Sequence, residues 1–218
     1  MRTVARRAGW RRVAVVALLC VVCAAAPTAQ VLLDRVLVRV NDEPITLTDV
    51  QAAIGLGVVT APSGDGAFDG AFDAALAQLV ARRLQLAEVD RVLAPQPDAA
   101  LVAAEVAQLR AAAGDGLADL MAATGIDEGR IEAYARDTLR LRSYLAQRFG
   151  TAVQVTDDEA VRFYQARPDL FTRDGVLQPF GDVAARARQL AGEARRGELI
   201  AQWARGLRMR ADVVELPR

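Results

Sequence analysis

The chain has 218 residues, and its 27 basic and 27 acidic side chains give a formal net charge of zero. Every basic side chain is arginine, because the sequence contains neither lysine nor histidine. This composition excludes histidine zinc sites, Ser/His nucleophile pairs and lysine Schiff-base chemistry. A chain of this length can bury an apolar core without a disulfide or a structural metal.

Residues 1–29, called the leader here, have the composition of a secretory signal peptide. Five arginines and no acidic residue precede an uncharged stretch at 13–26, and the letters CAAAPTAQ follow with small residues. A helix that spans a bilayer needs about 20 apolar residues, so this stretch is short for an anchor. We expect cleavage between Ala25 and Gln30, with an uncleaved anchor helix as the alternative.

Removal of the leader would change both the charge and the cysteine content. Cys20 and Cys23 are the two cysteines of the chain, and both lie in the leader. Subtracting the five leader arginines leaves 22 against 27 acidic residues, a net charge near −5. Because phosphate binding needs a basic surface, we expect no nucleic-acid partner. Without cysteines, the rest of the chain must rely on its apolar core.

A short β-hairpin and a short helix are the first elements predicted after the leader. Residues 36–47 contain two short strand-like runs on either side of a polar turn at Asn41-Asp42. Thr48 and Gln51 have the spacing of a capping box, in which each residue satisfies a free amide at the helix start. A helix is therefore expected to begin there.

The segment that follows this helix carries apolar residues without a helical face. The helix is expected to end near Gly55 or Gly57, and a Gly/Pro/Ser turn is expected at 62–66. The apolar side chains here either belong to the core or contact a bound polypeptide, and the sequence leaves both open. With two phenylalanines of the next helix, they are the candidate client-binding residues: Ile54, Leu56, Val58, Val59, Phe68 and Phe72.

Apolar periodicity predicts helices over most of the remaining chain. Asp98 and Asp127 occupy N-cap positions, and Thr156 with Glu159 forms a second capping box. Gly150 lies where a left-handed C-terminal residue is expected. The expected helices cover 68–93, 99–113, 117–123, 128–149, a segment from the Thr156 cap to just before Pro168, and 180–209, with a loop at 171–179 before the last.

The predicted fold is mainly α, with strand residues only near the two ends of residues 30–218. A two-stranded ribbon is marginal by itself. The apolar run at 211–216 is the expected third strand, and it would close a single domain together with the last helix. Phe163, Tyr164 and Trp203 are predicted to be core residues that fix this helix.

The order of these motifs resembles the N-terminal domain of SurA-type periplasmic chaperones and their parvulin-linked relatives. The matching letters are VRVN at 38–41, VQVTDDEAVRFY at 153–164, and a PF…W…LR…A pattern from Pro179 to Ala211. The resemblance spans nearly all of residues 34–216. It implies a multi-helix fold of the SurA N-domain type, with a small sheet formed by the N-terminal hairpin and the C-terminal strand.

The resemblance also implies a function in the periplasm. Proteins of this family hold unfolded secreted or outer-membrane chains without ATP, which requires no cofactor or metal. Many of them carry a parvulin prolyl isomerase domain between the helices that here end and begin near Tyr164 and Pro179. Fourteen residues separate these two positions, whereas a domain needs at least about 50. We therefore expect a chaperone module without isomerase activity, and no stable membrane insertion after leader cleavage.

Two other classes of function remain open from the sequence. A periplasmic scaffold could use the same fold to dock one folded partner, and it would need a flat, rigid patch instead of a broad, mobile apolar groove. An enzyme that uses carboxylates would need two acids converging in one pocket. The acids lie beside arginines along the helices, as in DEGRIEAYARD, which is typical of a solvated helix face.

Overall fold

A computed structural model of the chain describes residues 34–60, 68–150 and 154–217, without the side chains of residues 68 and 69. The predicted signal peptide and the turn expected at 62–66 lie outside the described residues. The described residues belong to one compact unit that begins at Asp34. They are mainly helical and include a small antiparallel sheet, as predicted.

A three-stranded antiparallel sheet joins the two ends of the described chain. Strand β1 (Val36–Val40) pairs on one side with β2 (Glu43–Thr46) and on the other with the terminal strand β5 (Val213–Glu215). Asn41 starts the β1–β2 turn with a φ of 53°, a conformation that asparagine tolerates. The predicted pairing of the chain ends is confirmed, although the last strand is shorter than 211–216.

Helix α1 (Leu47–Gly55) begins without a linker after β2, and this shifts its cap. The Asp49 amide donates to the Thr46 hydroxyl at 3.2 Å, and the Thr46 amide donates to the Asp49 carboxylate at 3.0 Å. The capping box predicted at Thr48 and Gln51 is therefore wrong by two residues. The Thr48 amide and hydroxyl instead donate to Asp34, which fastens the helix start to the entry of β1.

Four helices follow and pack against one another and the sheet. They are α2 (Phe68–Arg91), α3 (Ala99–Ala113), α4 (Leu117–Thr124) and α5 (Glu128–Phe149). The predicted caps are confirmed, since Asp98 accepts from the Ala100 amide at 2.7 Å and Asp127 from the Arg130 amide at 2.8 Å. The described helices include none that is long and apolar enough to cross a membrane.

Gly150 ends α5 in a different way from the one predicted. Its φ is −68°, so it is right-handed, and its amide donates to the Ala146 carbonyl at 2.8 Å. A Cβ built on Gly150 would lie 2.2 Å from that carbonyl oxygen. The position therefore favours glycine because of close backbone approach, and the prediction of a left-handed residue is wrong.

The last third of the chain consists of two helices with a small hairpin between them. Helix α6 (Asp157–Ala166) has the predicted Thr156–Glu159 capping box, and α7 (Phe180–Arg210) is the longest helix described. Between them lie a 3₁₀ turn (Pro168–Phe171) and the two-residue strands β3 (Thr172–Arg173) and β4 (Val176–Leu177). Asp174 and Gly175 both have positive φ, as a tight hairpin turn requires. The expected loop is thus a hairpin.

The apolar core is divided into two lobes. The sheet lobe contains the clusters formed by the sheet and α1–α5, with Trp203 and Leu207 of α7 packed against them. The hairpin lobe contains a separate cluster around Phe171, in which Phe163 and Tyr164 pack. Phe163, Tyr164 and Trp203 are only partly buried and pack against these clusters, so their predicted core positions are confirmed only in part.

Helix α7 belongs to both lobes. Its first half packs in the hairpin lobe through Val183 and Ala187, and its second half packs on the sheet lobe through Trp203 and Leu207. In the middle part of the helix, residues 193–198 are all exposed. Two ion pairs, from Arg188 to Asp157 and from Arg195 to Glu159, tie α7 to the start of α6.

Candidate functional site

The predicted client-binding segment lies at the junction of two core clusters. Leu56 is 0% exposed and belongs to the cluster of α3, α4 and α5, whereas Val59 is 5% exposed and belongs to the sheet cluster. Ile54, Val58 and Phe72 are half-buried and pack against these clusters. The Phe68 side chain lies outside the described residues. Leu56 and Val59 are therefore core residues in this structure, as one of the two alternatives expected.

Local hydrogen bonds hold this segment in place after α1 ends. Gly57 has a φ of 67°, which allows the chain to fold back so that the amides of Val58 and Val59 donate to the Ala53 carbonyl. The Gln78 amide group donates to the Thr60 carbonyl at 2.7 Å and ties the segment to α2. A client could reach Leu56 or Val59 only if the segment opened. Their binding role stays a prediction that requires such opening.

A cleft that the sequence pattern does not indicate lies between the β1–β2 turn, α2 and α5. We call it the arginine cleft; its volume is about 400 Å³, and apolar side chains such as Val40, Leu79 and Leu86 share its lining with charged ones. The charged groups include Arg82 and Arg83 on α2 and Arg130 and Asp137 on α5. The cleft thus combines an apolar surface with charges of both signs.

Ion pairs satisfy most of the charges in and around the arginine cleft. Arg83 pairs with Glu43 on β2, and Arg130 pairs with Asp49 of α1 at 2.9 Å. Arg130 also lies over the ring of Tyr134, 5.2 Å from its centre. Burial raises the pKa of the Tyr134 phenol, so this group stays a neutral hydroxyl near neutral pH.

Arg82 and Asp137 differ from their neighbours because neither has a close charged partner on the other side of the cleft. One Nη of Arg82 donates to the Thr138 hydroxyl at 2.7 Å and to the Tyr134 carbonyl at 3.3 Å, and Arg82 forms no ion pair within the described residues. Burial lowers the pKa of the Arg82 guanidinium, with a partial offset from the nearby charge of Asp137. Burial also raises the pKa of the Asp137 carboxyl.

A second groove, of about 390 Å³, lies where α7 crosses the end of α5. The ring of Trp203 is 5.6 Å from that of Tyr144 and 5.8 Å from that of Phe149. The guanidinium of Arg148 lies 5.6 Å from the Trp203 ring centre, and it donates to the Tyr144 hydroxyl at 2.6 Å. These contacts fix α7 against α5, which accounts for the cluster as a structural element.

Exposed apolar side chains occur on both lobes, away from the predicted client segment. In the hairpin lobe, Val176 and Leu177 of β4 are 68% and 45% exposed. In the sheet lobe, Met209 at the end of α7 is 83% exposed, and Val214 and Leu216 are also exposed. The Asp174-Gly175 dipeptide is a hairpin signal in the sequence, and it indicates that Val176 and Leu177 follow a turn.

Comparison with known proteins adds no relative. No protein-family model matches the chain, and no curated protein matches it significantly. Within the described ranges, no group of three or more acidic side chains is arranged to hold a metal ion.

Proposed function

We propose that this protein is an ATP-independent periplasmic chaperone, or assembly factor, that holds unfolded secreted or outer-membrane proteins. The proposal includes a SurA-type N-domain fold and no prolyl isomerase activity. The observation that carries it is the two-lobed architecture, in which the exposed stretch 193–198 of α7 joins separate apolar clusters.

Separate apolar clusters on one chain suit the binding of unfolded chains. A protein that binds an unfolded chain in preference to the folded one keeps it unfolded by mass action, and this requires no reactive group. Weak apolar contacts at separate sites add up when one extended chain reaches several of them. Val176 and Leu177 in one lobe and Met209 in the other provide accessible apolar side chains for such contacts.

The topology supports the family proposal at the level of chain order. The terminal strand β5 closes on β1, as the resemblance implies for the module. The stretch between Tyr164 and Pro179 contains the end of α6, a 3₁₀ turn and the β3–β4 hairpin. In this proposal the hairpin takes the place in the chain at which parvulin-linked relatives carry their isomerase domain.

A scaffold that docks one folded partner is the second candidate, and the groove beside Trp203 favours it. Tilted aromatic ring contacts and the hydrogen-bonded Arg148 make this groove rigid, and aromatic residues and arginine are enriched where proteins bind tightly. A rigid groove suits a partner of fixed shape better than it suits many unfolded chains.

Binding of one protein in its unfolded and folded forms distinguishes the two candidates. A fluorescently labelled outer-membrane barrel protein is measured by anisotropy, either diluted from urea or folded in detergent micelles. A holdase is expected to bind the unfolded form at least about tenfold more tightly, a difference of about 1.4 kcal/mol. Empty micelles are the control. Equal binding of both forms, or binding of the folded form alone, would contradict the holdase proposal.

A further inference from the structure

We propose that the arginine cleft binds a peptide group of the held polypeptide. Arg82 donates to a client carbonyl, Asp137 accepts from a client amide, and a neighbouring client side chain packs on the apolar lining. The assignment rests on the proposed chaperone function, and it places the binding of the client's main chain in this cleft. Because every client has a main chain, such a site can serve clients of different sequence.

The donor side of the site is Arg82. A guanidinium has five N–H donors, and those on a single Nη make both of the Arg82 hydrogen bonds found within the described residues. The other Nη and the Nε make no hydrogen bond to the described residues, and neither is a buried atom without a partner. They are therefore accessible to solvent, and an incoming acceptor can take the place of water on them.

The acceptor side is Asp137 on the facing helix α5. Its closest cation is Arg140, whose Nη lies 3.6 Å from the carboxylate, which is too long for a hydrogen bond. Arg140 also pairs with Asp90. The Asp137 carboxylate accepts no hydrogen bond from the residues that the structure describes, so it too has capacity for a ligand.

The balance of charge favours a neutral, dipolar ligand over an anion. Arg83 and Arg130 are paired with Glu43 and Asp49. Two further acids of the lining, Asp42 and Asp90, are paired with Arg39 and Arg140. This leaves Arg82 and Asp137, between which the described structure has no ion pair. A ligand carboxylate beside Arg82 would face the charge of Asp137, whereas a peptide group offers an acceptor and a donor together. The volume of 400 Å³ falls within the range of about 300–1,000 Å³ that is usual for binding pockets.

The experiment measures the affinity of three unstructured reporter peptides, one neutral, one acidic and one basic, by fluorescence anisotropy. Arg82→Met removes the donors and keeps an apolar stem, and Ala133→Gln fills the cleft while leaving the bonds of Arg82 intact. Arg91→Met is the matched control, since Arg91 is an exposed arginine on the same helix outside the cleft. Thermal denaturation shows that each variant is folded at the temperature of the assay.

Both cleft variants are expected to bind each of the three peptides about tenfold more weakly than the parent, as the loss of a hydrogen bond to a charged group predicts. The control variant is expected to bind them with the affinity of the parent. A loss confined to the acidic peptide would overturn the assignment in favour of an anion site. Parent-like binding by both variants would overturn it and leave the chaperone proposal intact. Failure of the parent to bind any reporter would overturn both.

Discussion

Replacement of Leu56 by alanine tests whether the segment after α1 belongs to the core. Leu56 is among the largest fully buried side chains, and it packs in the cluster that contains Ile131 and Tyr134. Its amide donates to the Ala52 carbonyl at 2.9 Å, and alanine keeps that bond. The change therefore removes side-chain packing alone, and buried leucine-to-alanine changes cost about 2–5 kcal/mol.

A Cβ built on the preceding Gly55 would lie 2.7 Å from the Cδ atoms of Leu120 on α4, so α1 and α4 approach closely here. The Leu120 side chain is only partly buried, and its movement can fill part of the space that Leu56 leaves. We therefore expect a loss within the whole range of about 2–5 kcal/mol. Urea unfolding, followed by far-UV circular dichroism, measures the free energy of unfolding in parent and variant.

Leu93→Ala is the matched control for this measurement. Leu93 is 88% exposed, so the same change there should alter the free energy of unfolding by no more than about 0.5 kcal/mol. A cost below about 1 kcal/mol for Leu56→Ala, combined with weakened holdase activity, would refute the core assignment and favour a client-binding surface at Leu56.

Further predictions follow from the sheet, the caps and the chain order. Deletion of residues 210–218 removes β5 and its bonds to β1 and should lower the melting temperature by at least about 4 °C; an unchanged melting temperature would contradict the pairing. Thr46→Ala should cost about 1 kcal/mol in urea unfolding, whereas Gln51→Ala should cost almost nothing; the reverse order would restore the sequence-based cap. By NMR, the Glu159 carboxyl should titrate below its ordinary pKa, chiefly because the Thr156 amide donates to it and secondarily because the Thr156 hydroxyl does. Thr156→Ala removes the hydroxyl and keeps the amide, so it should raise that pKa only in part; the stabilisation is present above the unfolded-state pKa and is lost as the pH falls through the folded-state pKa. A proline-peptide assay should show only the uncatalysed rate of isomerisation, and catalysis by the purified chain would contradict the chaperone-only proposal.

Local signals account for most of the fold that could be predicted from the sequence. Helix α5 begins after the Asp127 cap and ends at Phe149, as expected, and α6 begins at the predicted Thr156 cap. Caps and turns depend on a few neighbouring residues, so they can be read without knowledge of the fold. The cap of α1 was misplaced because Thr46 and Thr48 both have suitable spacing, and the course of β2 selects between them.

The candidate sites depended on contacts between distant residues, which the sequence pattern does not show. Leu56 is buried because residues of α3, α4 and α5 pack around it, and nothing near Leu56 in the sequence indicates that packing. Arg82 and Asp137 line the same cleft only because α2 and α5 pack together. In the sequence each has the surroundings of an ordinary solvated helix face, and their unused hydrogen-bonding capacity depends on the packing.

Suppression of aggregation without nucleotide tests the chaperone proposal most directly. An outer-membrane barrel protein is unfolded in urea and diluted into buffer that contains increasing amounts of this protein but no ATP, and light scattering is followed over time. An equal mass of a folded protein without chaperone activity serves as the control. The proposal predicts that scattering falls as the molar ratio rises, and that little remains once this protein is in excess. Scattering that matches the control at every ratio would contradict it.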